Sequence, residues 1–335
     1  MFSKLMNRFY YGKSGKADYT HADLPKNRME LFFTTLKVRF PSLSLLNAAY
    51  FVVWLPAILI VISAFVSWVN GLAGVNDLLK TTSDAEIARI TGEFRQYQHS
   101  LIFSTLLKLV PAILITGPFT AGLAYDLRNW ARDEHAFMWG DLWDSVKQNW
   151  KQALGVSAIS GLMPLIVYVG FVFYGDLSKN NVLMVVPQVL VVVACLVWAL
   201  GTIFFYYLIV TYKLRFRDVL RNGILLSIAK LPKAIGVKLL HLLPIVLSLA
   251  LSIVVNIQVG VLFFLAYYAI IGLSLSRFIN ASFSNACFEG IINPRIEGAP
   301  TDVGLRSKEY AELDRQLAEA SDTENAVYID LEEKQ

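Results

Sequence analysis

The chain has 335 residues, of which 56% are hydrophobic and only 17% are charged, and its formal net charge is +4. A soluble domain of this size carries about a quarter charged residues, because its surface must be covered with polar groups. The composition therefore excludes an ordinary soluble globular protein and indicates a protein embedded in lipid.

The N-terminal segment, residues 1–41, is polar and basic and has no short apolar stretch ahead of a small-residue cleavage site. No removable signal peptide is predicted, and the first membrane span is expected to serve as an uncleaved targeting signal. The end of the segment, around Phe32, Phe33, Leu36 and Phe40, predicts a helix lying in the membrane interface.

Six long apolar runs follow, and they predict six transmembrane helices. About 20 apolar residues in a helix cross the ~30 Å hydrocarbon core, and a helix satisfies its own backbone hydrogen bonds there. The longest runs leave room for tilt. The fifth and sixth are nearly contiguous, which favours a tight hairpin around Asn256, Gln258 and Gly260. The runs are residues 42–69, 100–125, 153–174, 181–212, 234–255 and 256–276.

A weak internal pattern recurs in the first, third and fifth runs. Pro56, Pro164 and Pro244 each lie in the middle of a run, behind a basic, amphipathic stretch. A proline removes one intrahelical hydrogen bond, so we expect a kink in each of these helices. The pattern predicts three repeated units, each an interfacial helix followed by a transmembrane hairpin.

The clearest amphipathic stretch precedes the third run. Trp139, Trp143 and Trp150 fall on one helical stripe together with Leu142 and Val146. An indole ring suits the head-group boundary, where its N–H group stays near water. These tryptophans are therefore predicted to be interfacial anchors.

Basic residues are distributed unevenly between the loops. The N-terminal segment and the loops after the second and fourth runs hold eighteen Lys and Arg residues, and the opposite loops hold four. Because Lys and Arg favour the cytoplasmic side, both termini of this cell-membrane protein are predicted to be cytoplasmic. The sequence thus predicts an all-α, polytopic membrane domain at residues 42–283 and an acidic cytoplasmic tail at residues 284–335. A short helix is predicted at residues 307–320, and the chain after about residue 293 is expected to hang free or to bind a basic partner.

The most distinctive segment closes the second run and enters the following loop. Gly117 and Gly122 allow helix backbones to approach closely, and Pro118 frees one backbone carbonyl. Ordinary helix packing and a hinge beside a partner surface both explain these residues. Beyond them an ion-paired turn is predicted, either solvated or a docking surface for a partner. The turn contains Arg128, Arg132, Asp133 and Glu134.

The same segment, residues 117–151, resembles the YesL family, a domain-of-unknown-function group of Gram-positive bacterial membrane proteins. The shared features are a Gly-Pro-x-x-Ala-Gly stretch, a basic–acidic loop and an amphipathic helix ending near Asn-x-Lys. The resemblance extends over roughly residues 32–283, and the chain looks longer than typical members at residues 70–99 and in the tail. Family genes commonly lie beside those for carbohydrate-uptake ABC transporters, so the resemblance implies an accessory role in sugar import. It implies no catalytic residues.

Three ionisable side chains fall inside the runs, where charge is costly. Lys108 lies about 12 Å into the second span at the helical rise, and it either snorkels outward, pairs within the bundle or lines a polar cavity. Lys238 and His241 lie near the start of the fifth run, from where they could snorkel to the nearby interface more easily than Lys108. The histidines and the two cysteines, Cys195 and Cys287, show no metal-ligand spacing, so no metal or cofactor is predicted.

No nucleotide-binding loop or nucleophile motif is present in the sequence, and no nucleic-acid partner is predicted. We expect a non-enzymatic accessory or scaffold protein associated with carbohydrate ABC uptake, with the lipid bilayer and ABC sugar permease subunits as partners. An independent small-molecule transporter or channel is the alternative. An intramembrane enzyme is disfavoured, because it would need clustered polar residues at depth and the runs contain almost none.

Overall fold

Helices account for all regular secondary structure in the part of the chain that the computed structural model describes, which is residues 24–80, 83–306 and 312. Short 3₁₀ turns at Val182–Met184 and Asn293–Arg295 and a π-helical turn at Tyr268–Gly272 adjoin the longer helices. The α-helices are α1 (Arg28–Leu79), α2 (Asp84–Trp130), α3 (Met138–Ser178), α4 (Val185–Gly201), α5 (Phe205–Thr211), α6 (Phe216–Ala229), α7 (Leu231–Val254), α8 (Ile257–Tyr267) and α9 (Leu273–Ile291).

Six helical segments are long and apolar enough to cross a membrane, and each corresponds to one of the predicted runs. The prediction of an all-α polytopic membrane protein with six spans is therefore confirmed. The predicted hairpin is confirmed as well, because α7 ends at Val254 and the Asn256 side chain caps α8 by accepting from the Val259 N–H group at 2.9 Å. The spans are Arg28–Leu79, Glu86–Trp130, Met138–Ser178, Val182–Gly201, Leu231–Val254 and Ile257–Arg295.

The three longest helices extend beyond a bilayer. Helix α1 has 52 residues, so it is about 78 Å long, against a hydrocarbon core of ~30 Å. In α1 and α3 the amphipathic stretch and the span form one continuous helix, whereas in the third unit a break at Lys230 separates α6 from α7. Pro232 favours this break, since proline fits the first turn of a new helix and has no N–H group to donate to the preceding one. The boundaries expected after residues 41 and 283 fall inside α1 and α9, and the three-unit repeat stays a prediction.

Side-chain burial is concentrated at one end of the bundle. There the helices share a hydrophobic core that includes Leu46, Leu127 and Phe278, each 1% exposed or less. At the other end the apolar faces are open, and Ile253 at the tip of the α7–α8 hairpin is 84% exposed. We call the packed end the basal half and the other end the distal half. The basal half comprises residues 28–57 of α1, residues 112–130 of α2, residues 138–161 of α3, the C-terminal end of α4, and helices α5, α6 and α9.

Helix α5 lies at the centre of the basal core. The fourth span ends at Gly201, earlier than the apolar run to residue 212 predicts, and the chain turns through Phe204 before α5. The remaining apolar residues of the run are buried in protein rather than in lipid. A Cβ atom at Gly201 or at Gly223 would lie 2.4 Å from the Phe205 ring, so these two glycines leave the space that the ring fills.

Residues 293–306 pack against the basal half. The Arg306 N–H group donates to the Pro25 carbonyl oxygen at 3.0 Å, and the Asn293 amide donates to the Pro300 carbonyl oxygen at 2.8 Å. The expectation that the chain after about residue 293 hangs free is therefore wrong for this segment. The predicted helix at residues 307–320 and the N-terminal residues 1–23 lie, apart from residue 312, outside the described residues.

Candidate functional site

The distinctive segment of the sequence forms a close seam between α2 and α3. A Cβ atom added at Gly117 would lie 2.5 Å from the Ala153 carbonyl oxygen, and one at Gly122 would lie 2.7 Å from the Leu142 carbonyl oxygen. Any larger residue would push the two backbones apart. Both glycines therefore lie where the sequence predicts close helix packing.

Pro118 and Ser157 form a matched pair across this seam. Pro118 has no N–H group, so the Leu114 carbonyl, four residues earlier, loses its partner within the helix. The Ser157 hydroxyl of α3 donates to the Leu114 carbonyl oxygen at 2.8 Å and replaces the missing donor. The packing of α3 thus compensates for the proline in α2.

A left-handed turn ends α2. Asp133 has a φ of 55°, and the N–H groups of Asp133 and Glu134 donate to the carbonyls of Trp130 and Asn129 at 3.1 and 2.8 Å. This is a Schellman arrangement, in which glycine commonly takes the left-handed position. Arg132 pairs with Glu134 at 3.0 Å and is only 7% exposed, so a solvated turn is the wrong description of Arg132.

The C-terminal segment covers this turn. A Cβ atom at Gly304, where φ is 76°, would lie 2.5 Å from the Arg132 carbonyl oxygen. Arg28 forms an ion pair with the largely buried Glu289 and donates to the Val303 carbonyl oxygen at 2.7 Å. These contacts join α1, α9 and the turn after α2 into one network.

Tyr212, in the link between α5 and α6, adds a polar contact to the segment that follows α9. Its hydroxyl donates to Asn293 Oδ1 at 2.6 Å. Burial raises the pKa of Tyr212 to about 12, against the opposing effect of the nearby Arg128 and Arg132. The phenol therefore stays protonated and continues to donate at neutral pH.

Asp126 is a fully buried residue near the end of α2. Neither of its carboxylate oxygens has a hydrogen-bond partner among the described residues, and Asp141 of α3 is close enough to act on it electrostatically. It was not predicted, because it is the first residue beyond the run 100–125. The helical spacing contains a signal, since Asp126 lies four residues after Gly122 and shares its packed face.

A second group of polar side chains lies inside the bundle, where α7 and α9 meet the end of α4. Lys238 Nζ donates to Thr202 Oγ1 at 3.0 Å, and His241 Nε2 lies 3.1 Å from the Ser276 carbonyl oxygen. Both side chains turn towards other helices of the bundle. Snorkelling to the interface therefore does not describe these two side chains.

Arg277 of α9 joins this group. Its guanidinium carbon lies 5.9 Å from the centre of the Tyr206 ring, near the Tyr50 hydroxyl, and it acts electrostatically on both Lys238 and His241. Arg277 was not predicted, because it is the first residue beyond the run 256–276 and no spacing in the sequence relates it to α7. We call Lys238, His241 and Arg277 the cationic cluster.

Lys108 lies apart from the cationic cluster. It is exposed on α2 and lines a groove of about 320 Å³ between α1 and α2, together with Ser63, Ser67 and Thr105. The groove shares no lining residue with the cationic cluster. The exposure of Lys108 fits outward snorkelling, and its place in the groove wall fits the polar-cavity alternative.

The predicted anchors and kink positions lie along the long helices. Trp139, Trp143 and Trp150 are each about half exposed on α3, as the interfacial interpretation requires. Trp139 and Trp143 also line an apolar groove of about 280 Å³ that reaches Tyr50. The three prolines lie inside α1, α3 and α7, at Pro56, Pro164 and Pro244.

The network around the turn after α2 and the cationic cluster both offer positive charge and hydrogen-bonding groups. Over the described part of the chain, no group of three or more His, Cys, Asp or Glu side chains is arranged to hold a metal ion. Cys195 and Cys287 are free thiols. The chemistry that these sites support best is therefore the binding of an anion or of a polar partner.

Comparison with known proteins relates part of the chain to one family. Residues 97–171 match the model of a family described as "Protein of unknown function, DUF624". The match includes the α2–α3 seam, the Schellman turn and the tryptophan stripe, and it excludes the α7–α9 region. No curated protein and no solved structure matches the chain.

Proposed function

We propose that the chain is a non-enzymatic accessory or scaffold protein of the cell membrane, associated with the permease subunits of a carbohydrate-import ABC transporter. The basal half lies on the cytoplasmic side in this proposal, because the loops at that side hold eighteen basic residues against four opposite. The resemblance to the YesL family supports the partner, and its strongest part lies within the DUF624 match.

The uneven packing of the bundle is the observation that carries this proposal. The basal half is closely packed, whereas in the distal half Phe171 of α3 and Leu190 of α4 are 53% and 61% exposed. In a membrane, such faces are covered either by lipid or by the helices of another membrane protein. Association between spans relies on side-chain packing rather than on a hydrophobic driving force, so open apolar faces can serve as packing surfaces. A bundle that is packed at one end and open at the other suits lateral assembly into a larger complex.

Site-specific photo-crosslinking in native membranes tests the proposal. A photoreactive amino acid replaces Phe171 or Leu190 in the distal half or, as a control, Phe137 in the basal turn, which is 71% exposed. We expect the two distal positions to crosslink to ABC permease subunits and the control position not to do so. If neither distal position captures a permease subunit and mild detergent recovers the chain alone, the accessory role is refuted.

A second candidate, an independent small-molecule transporter, is favoured by the cationic cluster, because ionisable groups inside a membrane bundle commonly mark substrate pathways. This candidate predicts flux of a small anionic or hydroxylated solute into liposomes that contain the purified chain. Lys238→Gln should reduce the flux, whereas Lys233→Gln, at an exposed position of the same helix, should not. Liposomes that stay impermeable to both phosphate and hexose would exclude it.

A further inference from the structure

The cationic cluster carries positive charge that no described carboxylate neutralises. The ion pairs in the described part of the chain do not include Lys238 or Arg277. Their neighbours are the Thr202 hydroxyl and the ring and hydroxyl groups of tyrosines such as Tyr206. An unpaired charge inside a span is costly, and Lys238 and Arg277 carry like charges that act on each other. A bound anion would relieve both costs.

The basic side chains of the cluster come from two helices. Lys238 and His241 are three residues apart on α7 and so share one face of that helix, and Arg277 comes from α9. His241 Nε2 carries its hydrogen in the contact with Ser276, because a carbonyl oxygen only accepts. A guanidinium fork and an ammonium group together can donate to the several oxygens of one phosphate group.

The position of the cluster puts it within reach of lipid head groups. Lys238 follows Leu231, the first residue of α7, by seven positions, which is about 10 Å at the helical rise. All three side chains of the cluster are partly exposed. Helix α7 packs chiefly against α8 and only lightly against α4, α6 and α9, so a ligand can approach from the lipid or from the basal side.

We propose that the cationic cluster is a binding site for a phosphate group, carried either by an anionic lipid head group or by a soluble phosphate. Basic pockets between spans near the cytoplasmic face are known to take phosphorylated lipid head groups. The cluster lies outside the DUF624 match, and the inference depends neither on the accessory role nor on transport.

Native mass spectrometry of the full chain tests this inference. The protein is released from vesicles that contain equal amounts of phosphatidylglycerol and phosphatidylcholine, and the retained lipid is counted. We expect selective retention of phosphatidylglycerol, weakened about tenfold by Lys238→Gln or Arg277→Gln, as for the loss of one charge-assisted hydrogen bond. Lys233→Gln removes the same charge from an exposed position of α7 and should leave retention unchanged.

A second arm separates the two sources of phosphate. Inorganic phosphate is added to lipid-depleted protein, and the thermal unfolding temperature is measured. A rise that Lys238→Gln abolishes, without selective lipid retention, identifies a soluble phosphate as the ligand. Arg277→Lys keeps the charge and should retain most of the binding, which separates lost binding from lost folding. The inference is overturned if neither ligand binds, or if Lys233→Gln weakens binding as much as Lys238→Gln does.

Discussion

Replacing Ser157 by alanine removes the donor that satisfies the Leu114 carbonyl next to Pro118. A buried polar group left without a partner costs about 1–3 kcal/mol, whereas hydrogen bonds between membrane helices average only about 0.6 kcal/mol, because the separated helices find other partners. At this carbonyl the usual replacement, the N–H group four residues later, does not exist. We therefore expect Ser157→Ala to destabilise the protein by about 1–2 kcal/mol, above the membrane average.

A double-mutant cycle isolates this effect. Pro118→Ala restores the backbone N–H group that the Leu114 carbonyl lacks, so Ser157→Ala should cost less than about 0.5 kcal/mol in that background. Reversible unfolding in mixed detergent, followed by tryptophan fluorescence, measures all four variants. The difference between the two backgrounds reports the compensation itself rather than the general loss of a hydroxyl.

Ser104→Ala is the matched control. The Ser104 hydroxyl donates to Leu101 in its own helix at 3.1 Å, and that carbonyl lies in an uninterrupted part of α2, where the N–H group of residue 105 is available. Its removal should cost little in either background. If Ser157→Ala costs the same with and without Pro118, the reasoning about the freed carbonyl is wrong.

Three further predictions concern the seam and the basal network. Gly117→Ala places a Cβ atom 2.5 Å from a backbone oxygen and should lower the thermal unfolding temperature by several degrees, whereas Gly92→Ala meets no atom within 4 Å and should not lower it. Glu289→Gln removes the negative charge that pairs with the mostly buried Arg28, so it should cost about 2–4 kcal/mol and speed trypsin cleavage within residues 293–306. Asp77→Asn breaks an exposed pair and should cost less than about 1 kcal/mol. Burial raises the pKa of Tyr212 to about 12. Between about pH 10 and 12 the folded state therefore keeps a proton that the unfolded state has lost. The free energy of unfolding should fall as the pH rises through this window. Tyr212→Phe should remove that part of the fall in unfolding experiments across the same pH range, and an unchanged slope would contradict the assignment.

The number of spans could be predicted because lipid leaves the backbone few choices. A segment in hydrocarbon must satisfy its own hydrogen bonds, so each apolar run becomes a helix. The hairpin at Asn256 was predictable for a similar reason, since two spans cannot share one uninterrupted helix and Asn is a good cap for the next one. These features depend on local sequence and on the solvent.

The extent of each helix depends on contacts that no local pattern contains. Helix α1 continues through the expected boundary between interfacial helix and span although Pro41 lies at that boundary. Helix α3 has no proline at its own boundary, and the basal core packs along both helices. The break at Lys230 follows from Pro232, which is a local signal. The burial of α5 is different, since it requires the glycines at 201 and 223 to admit the Phe205 ring, and these three residues belong to three different helices.

Asp126 and Arg277 show why charged residues at the ends of apolar runs need separate attention. The runs 100–125 and 256–276 each end directly before a charged residue, and a charge at the end of a run is then taken to meet water. At the basal end the helices continue into a protein layer, so the charge that ends the run at Asp126 is fully buried and Arg277 lies between helices. At the distal end the described residues form no comparable layer, and Asp176, which follows the third run, is 67% exposed in a surface pair with Lys179. The fate of a charge beside a span is therefore decided by what its helix enters next, and in this protein the buried charges lie where the spans pass into the basal half.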